Sequence, residues 1–172
     1  MGLRTFRLAA ATMLIAANVA AGAAMTAPAS DYSQTLDALW DFDQPAVSEA
    51  RFRAELARHP TQSREAAEAA TQVARAQGLQ RKFNDADVTL DGVQRTLDAQ
   101  PARVRVRYLL ERGRRDNSSQ RKAQAVSWFE QALAASANDT LAGAAYYRVD
   151  ALHMLAIASP GDRQLDWHRR AL

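Results

Sequence analysis

The residues with the most chemical potential in this chain do not converge on one site. Three histidines occur, His59, His153 and His168. No two are three or four residues apart, the spacing that puts two imidazoles on one helical face around a metal. Asp41-Phe42-Asp43 sets two carboxylates close together, but as a charged helix end rather than an acid–base pair. Ser127 lacks the flanking glycines of a nucleophile elbow. There is no glycine-rich phosphate loop. With no cysteine, disulfides, zinc knuckles, a thiol nucleophile and a lipid-anchoring thiol are all excluded. The chain therefore reads as a binding protein and not an enzyme, with no metal and no cofactor.

The one dense group is basic: Arg103, Arg105, Arg107, Arg112, Arg114 and Arg115. Two uses fit it. It is a solvated helix flank balanced by nearby acids, or it lines a groove whose guanidinium forks grip carboxylates. Nucleic acid is not the expected partner. Arg4 and Arg7 precede every acid, so without the first 29 residues 20 basic residues face 19 acidic ones, a net charge of +1.

The elements that position these residues are helical. The 172 residues are 48% hydrophobic, with the apolar share leaning on alanine, which favours helix and close helix packing. Met1–Arg7 is short and basic, Leu8–Ala24 is apolar, and Ala-x-Ala spacing follows at Ala21/Ala23 and Ala27/Ala29. This is the layout of a secretory signal peptide, assigned to residues 1–29, with a periplasmic or secreted domain over 30–172. Any membrane contact is through an uncleaved signal.

Apolar spacing and caps predict seven helices: Ala46–Arg58, Ser63–Gln77, Asn84–Ala99, Ala102–Arg115, Gln120–Ala135, Thr140–Ala158 and Asp162–Leu172. Pro45 opens the first, Ser63 caps the second, and Asn138/Asp139 cap the sixth.

A period runs through alternate helices. Thirty-nine residues separate Ala86 from Ala125, Leu90 from Phe129 and Val93 from Ala132. A further step leads from Phe129 to His168 and from Ala132 to Ala171, and a step of 38 back reaches Ser48 and Phe52. A fixed period of this size points to stacked supersecondary units.

Ala125-x3-Phe129-x2-Ala132-Leu133 resembles the second-helix signature of tetratricopeptide repeats, and Ala86-x3-Leu90-x2-Val93 is a weaker copy. Leu109-x3-Gly113 resembles the close-packing point of the first helix, a position held by Ala74 and Leu152 in the flanking units. Several positions depart from that pattern. Asp116 and Arg112 stand where apolar residues are usual, Gln120 stands where a turn glycine is usual, and the period exceeds the family's ~34 residues.

The resemblance implies an all-α antiparallel helix-hairpin array, a solenoid of about three and a half units. It implies a concave face lined by first helices, where Arg75, Arg107, Arg114, Asn117, Tyr146 and His153 share a side. The expected function is a periplasmic scaffold that binds a peptide or protein there. Tyr146, Tyr147 and Trp128 serve equally well as core fillers. The apolar Ala171-Leu172 end lacks a polar cap, which suggests truncation of a longer array or self-association through that end. A stub without independent function and an envelope enzyme on a helical scaffold remain as alternatives.

Overall fold

The computed structural model describes residues 32–137 and 143–171, and all regular structure within them is helical. Residues 1–29, the Asn138/Asp139 cap and Leu172 lie outside the described residues, as does the side chain of His168. Local chemistry sets several boundaries. Pro45 occupies the first turn of α2 (Pro45–Leu56), where its missing N–H has no partner to lose. Ser63 caps α3 (Arg64–Leu79): its Oγ accepts from the Ala66 amide at 3.1 Å. Gly143, at φ 78°, precedes α7 (Ala144–Ala158) in a left-handed conformation that suits glycine. The chain closes with α8 (Gly161–Ala171).

Several boundaries differ from expectation. An additional helix, α1 (Tyr32–Asp37), precedes the predicted set; it has six residues and buries only Leu36, too little for a periodic signal. The helix expected over Asn84–Ala99 is α4 (Phe83–Gln94) followed by a 3₁₀ turn at Leu97–Ala99. Thr96 Oγ1 donates to the Val93 carbonyl at 3.2 Å, a side-chain bond that competes with helix continuation. In the opposite sense, α5 (Ala102–Ser118) runs through Asn117 and ends on Ser119. The sixth helix, α6 (Lys122–Ala135), starts two residues later than expected.

Packing follows chain order. α2 lies on α3, α3 on α4, α5 on α6, α6 on α7 and α7 on α8; α3 also meets α5 and α5 meets α7, while α1 rests on α3. α3 feeds two cores. Ala69, Val73 and Ala76 join Leu36 and Phe52, whereas Ala67 and Ala74 face the larger cluster of α4 to α7.

The periodic residues among those described are alike in burial. Ser48, Ala86 and Ala125 are fully buried, as are Phe52, Leu90 and Phe129. A Cβ added at Gly113 would lie 2.3 Å from Phe129 Cε1, so α5 and α6 approach closely only because residue 113 has no side chain. Ala74 and Leu152 are likewise buried. No helix among the described residues is long and apolar enough to cross a membrane.

Candidate functional site

α3, α5 and α7 enclose a cavity of about 230 Å³, lined by Arg75, Gly78 and Leu79 from α3, Glu111, Arg114, Arg115 and Asn117 from α5, and Met154 from α7, among others. Beside it lies a second cavity of about 210 Å³, bounded by Ser33 and Asp37 of α1, Arg107, Tyr146 and Tyr147. Arg75 lines both. Five of the six residues singled out from the sequence therefore sit around two adjacent cavities, and the sixth, His153, is exposed on α7 and lines neither.

The arginines are not equivalent. Arg114 is engaged internally: Nη2 donates to both carboxylate oxygens of Asp150 at 2.6 Å, and Nη1 to Glu111 Oε1 at 2.6 Å. Burial alone would lower the Arg114 pKa, but Glu111 and Asp150 outweigh it and hold the guanidinium above its ordinary value. Arg107 donates from Nη2 to Ser33 Oγ at 3.1 Å, lies 3.6 Å from Glu68 Oε2 through Nε, and covers the Tyr147 ring at 5.6 Å. Tyr147 is buried, and burial raises its pKa although Arg107 acts the other way. Asn117 Oδ1 accepts from Lys122 Nζ at 2.6 Å.

Arg75 differs from both. It makes no hydrogen bond or ion pair among the described residues, and its guanidinium carbon lies 5.4 Å from the Trp40 ring centroid and 5.7 Å from that of Phe42. Those two rings stack with centroids 4.6 Å apart and planes 1° apart. Trp40 is pinned by its Nε1, which donates to Gln72 Oε1 at 3.2 Å, while Phe42 is 60% exposed. From its sequence the segment is only a charged helix end; the aromatic seat is a feature of the fold. The available signal was Trp40-x-Phe42 in a non-helical stretch, where residues two apart share a side.

The remaining basic residues mostly balance acids. Arg105 pairs with Asp98 at 3.0 Å, Arg103 with the buried Glu68 at 3.0 Å, Arg112 with Asp87 and Asp91, and Arg115 with Asp87 and Asp116. Balance by acids holds for these four, but a solvated flank does not: only Arg105 is exposed, while Arg103 and Arg115 are buried.

No family model matches the chain, and no curated protein or solved structure matches it either. Function is therefore argued from the site itself. Among the described residues no group of three or more His, Asp or Glu side chains is placed to hold a metal.

Proposed function

We propose that the chain is an exported scaffold of the tetratricopeptide type, about three and a half helix-hairpin units long, that binds a peptide or protein segment on the face formed by α3, α5 and α7. Export through residues 1–29 gives it a periplasmic or secreted location. The single observation that carries the binding reading is Arg75, a guanidinium with no ion partner among the described residues, seated on two aromatic rings between two cavities. A guanidinium held over aromatic faces keeps its planar fork available for a carboxylate or a peptide carbonyl. Arg107 and Arg114 shape the floor of the groove through their internal partners. The exposed Phe42 and Tyr146 provide apolar contact at its edge.

The test is capture of partners from the native envelope by the full chain and by Arg75→Glu. Arg114 is unsuitable for this reversal, because a glutamate there would face Glu111 and Asp150 and unfold the α5–α7 contact. Loss of capture with an unchanged melting curve is the expected result. Capture that persists in Arg75→Glu rejects the groove.

A further inference from the structure

A further opening lies on the other side of α3. Ala66 and Arg75 are nine residues apart on that helix, and at about 100° per residue they point in opposite directions. Arg75 faces the two cavities described above, whereas Ala66 faces a groove of about 590 Å³ between the end of α2, the first half of α3 and α4. Leu56, Ala70, Thr89 and Gly92 line it and are only half-buried, and Arg95 is exposed at the end of α4.

Small residues hold this groove open. Thirty-nine positions on from Ala70, Thr89 and Gly92 stand Leu109, Trp128 and Gln131. Those larger side chains close the surface between α5 and α6. Trp128 Nε1 donates to Asp116 Oδ2 at 3.0 Å, its ring meets the Tyr108 ring edge to face with centroids 6.3 Å apart, and Leu109 is buried. Thr89 Oγ1 meets the Gln77 amide at 2.9 Å, and Gln77 stands thirty-nine residues before Asp116. Thr89 thus makes the polar contact of Trp128 without its ring, and leaves room for a ring from elsewhere.

The charges select the rest of the ligand. Among the described residues that line the groove there is no carboxylate, and the two charged side chains are Arg53 and Arg95. Arg53 pairs with Glu49 at 2.8 Å. Arg95 makes no hydrogen bond or ion pair among the described residues, and its Nη2 lies 3.6 Å from where a Cβ on Gly92 would stand. A guanidinium there stacks on a ring, pairs a carboxylate and repels a cation. The volume falls within the ~300–1,000 Å³ of small-molecule sites.

We infer that this groove binds a small aromatic carboxylate of indole size, its ring against Ala70, Thr89 and Gly92 and its carboxylate on Arg95. The site is independent of the peptide groove, because α3 separates the two.

The probe is indole-3-acetate, titrated calorimetrically into the full chain. Indole-3-acetamide, without the charge, and octanoate, without the ring, are each expected to bind at least ~3-fold more weakly, the scale of an exposed ion pair or an exposed guanidinium–ring contact. Arg95→Gln is expected to bring indole-3-acetate down to the level of the acetamide and to leave the acetamide unchanged. Thr89→Trp supplies the ring from the chain itself, and Gly92→Gln narrows the groove from a position where an added Cβ makes only an ordinary contact with the end of Arg95. Each is expected to abolish binding of indole-3-acetate with a melting temperature at or above that of the unsubstituted chain.

Equal binding of indole-3-acetate and octanoate, or binding of neither, overturns the inference. So does undiminished binding in a folded Thr89→Trp or Gly92→Gln, which places the ligand elsewhere. Arg75→Glu is expected to bind indole-3-acetate like the unsubstituted chain; loss of binding there moves the ligand to the peptide groove and overturns this site while leaving that groove standing.

Discussion

Arg81 and Gln120 stand thirty-nine residues apart and share one left-handed backbone conformation, with φ of 61° and 68°. Each ends a helix in the same way. The Lys82 amide donates to the Gln77 carbonyl at 2.9 Å, and the Arg121 amide donates to the Asp116 carbonyl at 2.8 Å. These six-to-one bonds are the C-terminal motif that normally uses glycine. The thirty-nine-residue spacing therefore recurs in these two turns, although neither carries the glycine that would announce it.

Glycine at either position should stabilise the protein. Left-handed backbone costs an ordinary residue ~1–2 kcal/mol, and glycine gives part of this back as unfolded-state entropy. Arg81→Gly and Gln120→Gly are each expected to gain about 0.5–1 kcal/mol and to raise the melting temperature. A fall in both melting temperatures would show that the side chains matter more than the backbone.

The close approach of α5 and α6 at Gly113 predicts a steep cost for any side chain there. Gly113→Val should lose about 1–3 kcal/mol in urea denaturation, since it overpacks against Phe129. Phe129→Leu in the same chain makes room, and the double variant should be more stable than the sum of the single losses predicts. Strict additivity would mean that the two residues do not share the contact.

Asp150 holds Arg114 across the α5–α7 contact with two short bonds. Asp150→Ala should destabilise the fold by about 3 kcal/mol, because it strips a mostly buried guanidinium of its bidentate partner. Arg114→Met with Asp150→Leu and Glu111→Met should recover most of that loss, measured by chemical denaturation, because Glu111 also pairs with Arg114 and must go with it.

The acid limb of stability should report on Glu55. His59 Nε2 lies 2.9 Å from Glu55 Oε1, and this bond holds the carboxyl below its ordinary value of 4.5 against the opposing effect of burial. A carboxyl lowered on folding adds stability that is complete above the unfolded value and is lost as pH falls through the folded one. The melting temperature should therefore drop as pH falls below about 4.5, and Glu55→Gln should flatten that drop. Parallel acid limbs for the two proteins would place the loss on other carboxylates.

Asp116 shows how a departure in the sequence acquires meaning. It is a charged residue, and it is buried. Trp128 Nε1 donates to its Oδ2 at 3.0 Å, and Arg115 and Arg121 flank it, while burial pushes its pKa up. One period earlier, the Gln77 amide meets Thr89 Oγ1 at 2.9 Å, which is the same pairing in neutral form. The fit at each site is between partners thirty-nine residues away from their counterparts, and it is invisible when Asp116 is judged alone.

Helical class, the number of long helices and the buried stripe through Phe52, Leu90 and Phe129 were legible in the sequence, because apolar spacing and caps are local and each residue carries its own share of the signal. Of the six residues grouped from the sequence, Arg75, Arg107, Arg114, Asn117 and Tyr146 line the two cavities and His153 lines neither. What each of those side chains does was decided only by tertiary structure. Arg75 and Arg114 are thirty-nine residues apart, yet Asp150 from α7 ties up Arg114 and Trp40 and Phe42 from the loop after α1 seat Arg75. Those partners lie more than thirty residues away in the chain, and a charge is fixed or available according to what the fold brings beside it.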